Sequence, residues 1–303
     1  MRSAFCQAMV TLGSVEPLVF LTGDLGFMAL EPLRAVLGNR FINAGIAEQN
    51  MVSVAAGIAN GRRRQCWAYS IAPFIYARPF EQLRNDVCLH DANVKLVGNG
   101  GGYGYGVMGA THHAIEDYGA ICSLQRMRVH VPAFADDLAP IVERMLADPH
   151  PAYLRLGLCE KPAGLDLPAY APWRRLLSGD AGVLVVVGPL VGGVLAAAMV
   201  MAQQERPEIW TATELPITAM PSACCDRIRD TGALYVLEEH VAQGGAGQMI
   251  AHALLLAGGG PRRFRHFHAH GYLSGRYGSQ AFHRRENGID AKSVLAAITG
   301  DMP

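Results

Sequence analysis

Charge of one sign is what this sequence most lacks. Its 26 Lys and Arg are cancelled by 26 Asp and Glu, and only 17% of its 303 residues are charged. Such sparse, balanced charge offers no basic face, which sets aside nucleic-acid and membrane-surface binding. Paired thiols are missing as well. The seven cysteines include no C-x-x-C, and the adjacent Cys224 and Cys225 are badly spaced for a disulfide or a shared metal. Buried, reduced thiols in a cytoplasmic protein are the expectation. No run reads as a membrane span: the longest apolar stretch, 182–201, holds four glycines and a proline and reads as strand, glycine turn and helix start. Residues 1–5 lack the apolar core of a secretion signal.

What is present is a globular composition, half of it apolar, on a chain long enough for two α/β domains. Short apolar runs at 18–22, 41–44, 65–68, 94–97, 129–131 and 152–156 read as strands. Helical spacing occupies 50–59, 80–88 and 136–147, the last stopped by Asp148-Pro149. Alternation of this kind predicts a mostly parallel sheet covered by helices on both faces. Residues 160–178 are proline-rich and aperiodic, so a linker at 166–177 is expected to separate a first domain, 1–165, from a smaller α/β domain, 178–303. In the latter, strands are expected at 182–187, 208–212 and 233–238, with helices at 194–203 and 248–257.

The most informative segment runs from Arg40 to Gly57. A strand ends in a turn, and a helix opens on Glu48, Gln49 and Asn50 before a small apolar face. By spacing alone, an acidic residue there is equally a cap that compensates the helix dipole. The order of residues says more. Gly45-Ile46-Ala47-Glu48-Gln49-Asn50-Met51, preceded by Arg40-Phe41, closely resembles the pyrimidine-domain motif of transketolases. Deoxyxylulose-phosphate synthases and the β subunits of 2-oxoacid dehydrogenases carry variants of it. The resemblance continues through Thr22-Gly23-Asp24-Leu25-Gly26, Arg78-Pro79-Phe80-Glu81-Gln82-Leu83-Arg84, residues 98–117 (GNGGGYGYGVMGATHHAIED) and Tyr153-Leu154-Arg155-Leu156. In the second half, Glu238-Glu239-His240 followed by Gly244-Gly245-Ala246-Gly247 resembles the family's C-terminal domain, where a packed turn is expected.

This resemblance implies thiamine diphosphate as cofactor, with Glu48 bonded to N1′ of its aminopyrimidine and so helping to activate the thiazolium. The cofactor would carry the chemistry while the protein tunes it. Phe74, Ile75, Tyr76 and Arg78 are the implied cofactor-binding neighbours; the usual stacking aromatic aligns with Ala72, and Phe74 is the preferred substitute. His112 matches a histidine that contacts substrate oxygens and can move protons. His113, Met108 and Tyr105 are further substrate-binding candidates. The family's acidic group near the donor hydroxyls falls at Met108, its loop histidine at Gly100 and its phosphate-gripping arginine at Leu158, which argues against the usual sugar-phosphate recognition unless Lys161 or a partner's arginine substitutes.

The Gly-Asp-Gly…Asn motif that holds Mg²⁺ and the diphosphate is absent, since neither Gly23-Asp24 nor Gly179-Asp180 continues it. The resemblance therefore implies a separate diphosphate-domain subunit carrying the Mg²⁺ ligands, in an α2β2 heterotetramer that transfers a two-carbon ketol unit between small sugar-type substrates. No metal ligands are expected on this chain; His266, His268 and His270 would share one side of a strand but lack carboxylate or thiolate partners at useful spacing. The rivals are a β subunit of a 2-oxoacid dehydrogenase or similar acyl-transferring enzyme, and a non-catalytic scaffold. A dinucleotide site is disfavoured because Gly98-Asn99-Gly100-Gly101-Gly102 lacks the fingerprint.

Overall fold

The computed structural model describes residues 1–13, 17–62 and 64–300. Strands β1 (Val19–Thr22), β2 (Phe41–Asn43), β3 (Cys66–Ile71), β4 (Val94–Asn99), β5 (Arg128–His130) and β6 (Ala152–Leu156) form in the first half. The second half adds β7 (Trp173–Leu177), β8 (Val183–Val187), β9 (Glu208–Ala212), β10 (Glu214–Leu215), β11 (Ala233–Val241) and β12 (Arg263–Ala269). Two sheets result, ordered β10-β5-β6-β4-β3-β1-β2 and β12-β11-β8-β9-β7. All pairings are parallel except β10 on β5 and β7 on β9.

Period-two alternation sorts the first sheet's side chains onto two cores. Phe20, Trp67, Tyr69 and Leu154 meet α1 (Arg2–Leu12), α2 (Glu31–Leu37) and the later helix Leu138–Ala147 through Phe5, Met9, Leu33, Ile141 and Met145. The intervening Leu21, Ala68 and Leu96 face Met51, Val52 and Ala55 of α3 (Glu48–Arg62). That second core continues without a break into Val185, Trp210, Val236 and Ile250 of the second half. Fully buried, mostly parallel strands read as near-continuous apolar runs, as these do.

Two expectations need correction. The stretch read as a linker is only partly one: Trp173–Leu177 forms β7, antiparallel to β9 at the sheet's edge. Its prolines stop at Pro172, and an edge strand needs only one hydrogen-bonding side. The helix expected at 194–203 runs instead over Leu190–Ala198, opening directly after the turn at Gly188, whose φ is +75°. In addition, β10 from the second half pairs with β5 of the first, a remote pairing that local pattern does not carry. Among the described residues, no helix is long and apolar enough to cross a membrane.

The β5–β10 seam makes one property pH-dependent. His130 is 6% exposed there. Burial, with Arg144, Lys95 and Arg128 adding to it against Asp148, pushes its imidazole down to about 4. In the unfolded chain it returns to roughly 6.5. Between those values the unfolded state binds more protons, so stability is fully present above the upper value and is lost as pH falls through the lower one, by about 3 kcal/mol. Denaturant unfolding of the chain between pH 7 and pH 4 should show this loss, and His130→Gln should flatten it; an unaltered slope in the variant would refute the assignment.

Candidate functional site

Ligands of open parallel sheets bind beyond the carboxyl ends of the strands, and four such ends converge here. β1 ends at Thr22 and leads into Gly23, where a side chain would come within 3.1 Å of the Gly45 carbonyl and 3.7 Å of Glu48 Oε1. β2 ends at Asn43, and the chain turns through Gly45 at φ +72° to start α3 on Glu48. β3 runs into α4 (Ala72–Tyr76), and β4 into the glycine-rich loop. Chain direction alone thus collects side chains from distant stretches at one edge.

Glu48 is 4% exposed. Ser70 Oγ donates to Oε1 at 3.4 Å, and Arg78 Nη1 donates to Oε2 at 3.1 Å. Arg78 is 44% exposed at its side chain, and its guanidinium lies 3.5 Å from the Phe74 ring centroid. Phe74 meets His112 edge-on at 5.2 Å, and Tyr105 lies 5.8 Å from His112. Glu48, Arg78, Phe74, His112 and Tyr105 therefore form one continuous wall. An open depression of ≈ 450 Å³ lies against its first part, lined by Ile46, Ala47, Glu48, Gln49, Asn50 and Arg78. A larger one, ≈ 760 Å³, lies around the β5–β10 seam, where Arg128 and Arg144 are already paired with Asp148 and Glu214.

The other candidates separate. Ile75 and Tyr76 are buried in the core under α4, with the Tyr76 hydroxyl 3.4 Å from Glu116 Oε2. Met108 is exposed on the 3₁₀ turn Gly106–Met108. His113 turns inward beside the outward His112 and is 3% exposed, both of its ring nitrogens taken by Gly106 O and the Tyr272 hydroxyl. Leu158 is exposed, and Lys161 is paired at 2.6 Å with Asp136. His266 and His268 share one side of β12 and His270 follows just past its end, their neighbouring rings 4.7 and 4.2 Å apart, and His266 bonds Glu238.

Sequence reasoning gave no site role to Asn99, Arg2 or Asp24, and did not show what packs on Gly100. Gly100, at φ +77°, has no room for a side chain, because the Tyr105 ring fills that volume at 2.2 Å from an added Cβ. Asn99 holds the phenol in place, donating to its oxygen at 2.8 Å. Burial raises the Tyr105 pKa, while the Asn99 bond and the charge of the exposed Arg2 work against that rise. Arg2 opens α1, whose start is tied to the end of β6 by Gly157 N donating to Met1 Sδ at 3.4 Å. Asp24 adopts φ +41°, held by two bonds exchanged with Asn43. The only advance sign of Asp24 was its place in the Gly-Asp turn, and for Arg2 there was none.

Residues 1–157 match the family model for the transketolase pyrimidine-binding domain. The chain is 30% identical, over 85% of its length and 83% of the relative's, to one subunit of an apulose-4-phosphate transketolase from Actinobacillus succinogenes. The protein of the same name from Phocaeicola vulgatus is 27% identical, with 84% and 83% covered. A split-gene transketolase solved as an inactive β4 tetramer superposes with a TM-score of 0.81 at 29% identity, covering 99% of this chain and 96% of that one. With this fold, this carboxylate and these relatives, the chain belongs to the transketolase family.

Proposed function

We propose that this chain is the pyrimidine-domain subunit of a split transketolase, active with a separate subunit that holds the diphosphate and Mg²⁺. The observation that carries this reading is the buried Glu48 carboxylate at the head of the Phe74–His112–Tyr105 wall. The residues fit a flat heterocycle bearing a donor: the planar Arg78 guanidinium already lies over Phe74 while donating to Glu48. When bound, thiamine diphosphate supplies the carbon nucleophile that carries a two-carbon ketol unit.

This chain's own groups act around that centre. Glu48 Oε2, which here accepts from Arg78, would accept from the ring's N–H instead, in a site where low dielectric strengthens the interaction. Phe74 supplies the flat wall, and Arg78, partly in water, swings off it to admit the ring. His112 orients substrate oxygens and moves protons at its free Nε2, its Nδ1 being 2.9 Å from Thr111 Oγ1. Tyr105 closes the far end of the wall. The names of the Actinobacillus and Phocaeicola relatives support a phosphorylated ketose as donor. The partner covers the depression beside Glu48, where Ile46 is 80% exposed. An α2β2 assembly, working in the cytoplasm, completes the reading.

Calorimetric titration of thiamine diphosphate with Mg²⁺ tests it. The isolated chain should bind with at most millimolar affinity, and the complex with the diphosphate-domain subunit in the micromolar range or tighter. Tight binding by the isolated chain would overturn the split site. No binding by either would favour a scaffold.

A further inference from the structure

The loop that presents His112 is built by the first half of the chain but held by the second. Tyr103 N donates to Glu239 Oε1 at 3.2 Å, and the Glu239 carboxylate is itself gripped by Arg284 at 2.8 and 3.1 Å. The Tyr103 hydroxyl donates to the Gly271 carbonyl at 2.7 Å. At Gly109 an added Cβ would lie 2.1 Å from the Tyr277 ring, so that ring caps the segment leading to His112.

The most directional link passes through His113. Its Nε2 lies 2.8 Å from the Gly106 carbonyl, which only accepts, so Nε2 carries the proton. Nδ1 is then a bare acceptor, and the Tyr272 hydroxyl at 3.1 Å is the donor. Burial lowers the His113 pKa and keeps the ring neutral, while burial, Glu116 and Tyr277 push the Tyr272 phenol up to about 12 and keep it protonated. Gly106 opens the turn whose next closure is His112 N donating to Gly109 O at 2.9 Å.

We propose that Tyr272 and His113 are positioning residues for His112: Tyr272 O–H donates to His113 Nδ1, and His113 Nε2–H donates to Gly106 O, fixing the turn that aims His112 at the substrate. The second domain is thereby a working part of the reaction site. This rests on the reading of His112 as a substrate-facing group.

Two measurements test it. Nitrogen-15 NMR of the full chain should find His113 neutral with its proton on Nε2, and Tyr272→Phe should shift the His112 resonances. In the complex with the diphosphate-domain subunit, Tyr272→Phe should lower kcat about tenfold, as the loss of one bond of ~1.4 kcal/mol implies, with KM within about twofold. The effect should vanish in the His112→Ala background, whereas a merely structural role would persist there. A proton on Nδ1, an unmoved His112 signal, or a full tenfold loss on top of His112→Ala would each overturn the relay. A wild-type complex without ketol transfer would sink the proposed activity instead, while the NMR result would still decide the relay.

Discussion

Glu48→Gln should reduce ketol transfer by the complex on the order of 10³-fold, about 4 kcal/mol of transition-state stabilisation. Glutamine keeps the shape and can still accept one bond from Arg78 Nη1, but it carries no charge and cannot hold a proton on Oε2. The fold should tolerate the change. The ion pair that it removes joins a buried carboxylate to a guanidinium that is 44% exposed at its side chain, so screening leaves little net stability in it. Activity, cofactor titration and thermal unfolding of the same complex separate the outcomes. Activity within tenfold of wild type would remove Glu48 from the chemistry and leave it the helix cap that spacing alone allowed.

The largest effect on stability is expected at Arg155. Its side chain is 4% exposed and its Nε lies 3.0 Å from Oδ2 of the fully buried Asp117. Nη2 donates to the Ala114 carbonyl at 2.8 Å and, across the domain boundary, to the Glu239 carbonyl at 3.0 Å. Tyr153 donates to the same Asp117 oxygen at 2.8 Å. Arg155→Met would leave a buried carboxylate without its cation, a change that costs about 3–5 kcal/mol. Asp117→Asn in the same chain should restore part of that loss, since it removes the stranded charge. Denaturant unfolding of the two variants checks this; a loss below about 1 kcal/mol for Arg155→Met would mean that water reaches the seam and solvates Asp117.

The same network marks where sequence reasoning stopped. Arg155 was legible as part of a strand from local pattern, and the resemblance made Glu238-Glu239-His240 with the glycines after them a packed turn, whereas β11 itself continues through all three to Val241. Their meeting was not legible, since it joins residues more than eighty positions apart. Within the network Tyr118 donates to Glu238, whose carboxylate also accepts from Ala246 N and Gly247 N. His240 stacks on Tyr118 at 3.8 Å. The glycine turn after β11 lies against the first half of the chain, where a Cβ on Gly244 would come within 3.0 Å of Gly119 Cα. The misread linker has the same cause: β7 exists because β9 lies beside it, and β10 because β5 does.

Side-chain direction at the site was hidden for a related reason. Phe74, Ile75 and Tyr76 are consecutive, and nothing local says which faces out. The core beneath α4 takes Ile75 and Tyr76 and leaves Phe74 at the wall. His112 and His113 divide likewise, because Tyr272, Tyr103 and His283 enclose His113. The loss of the family's loop histidine at Gly100 was visible as a substitution. Only packing reveals that the Tyr105 ring occupies the vacated volume.

By itself the sequence determined the class of fold, through alternating strand and helix periods, and the family, through the run from Arg40 to Met51 with Thr111-His112-His113 and Glu116-Asp117. Through that resemblance it also raised the expectation of a separate diphosphate-domain subunit. The tertiary structure alone decided that Arg78 lies between Glu48 and Phe74, that Asn99 holds the Tyr105 phenol, and that Tyr272 reaches the His112 loop. The physical reason is range: period and motif are set by neighbours along the chain, whereas a side chain's partners are chosen when distant segments compete to fill one close-packed volume.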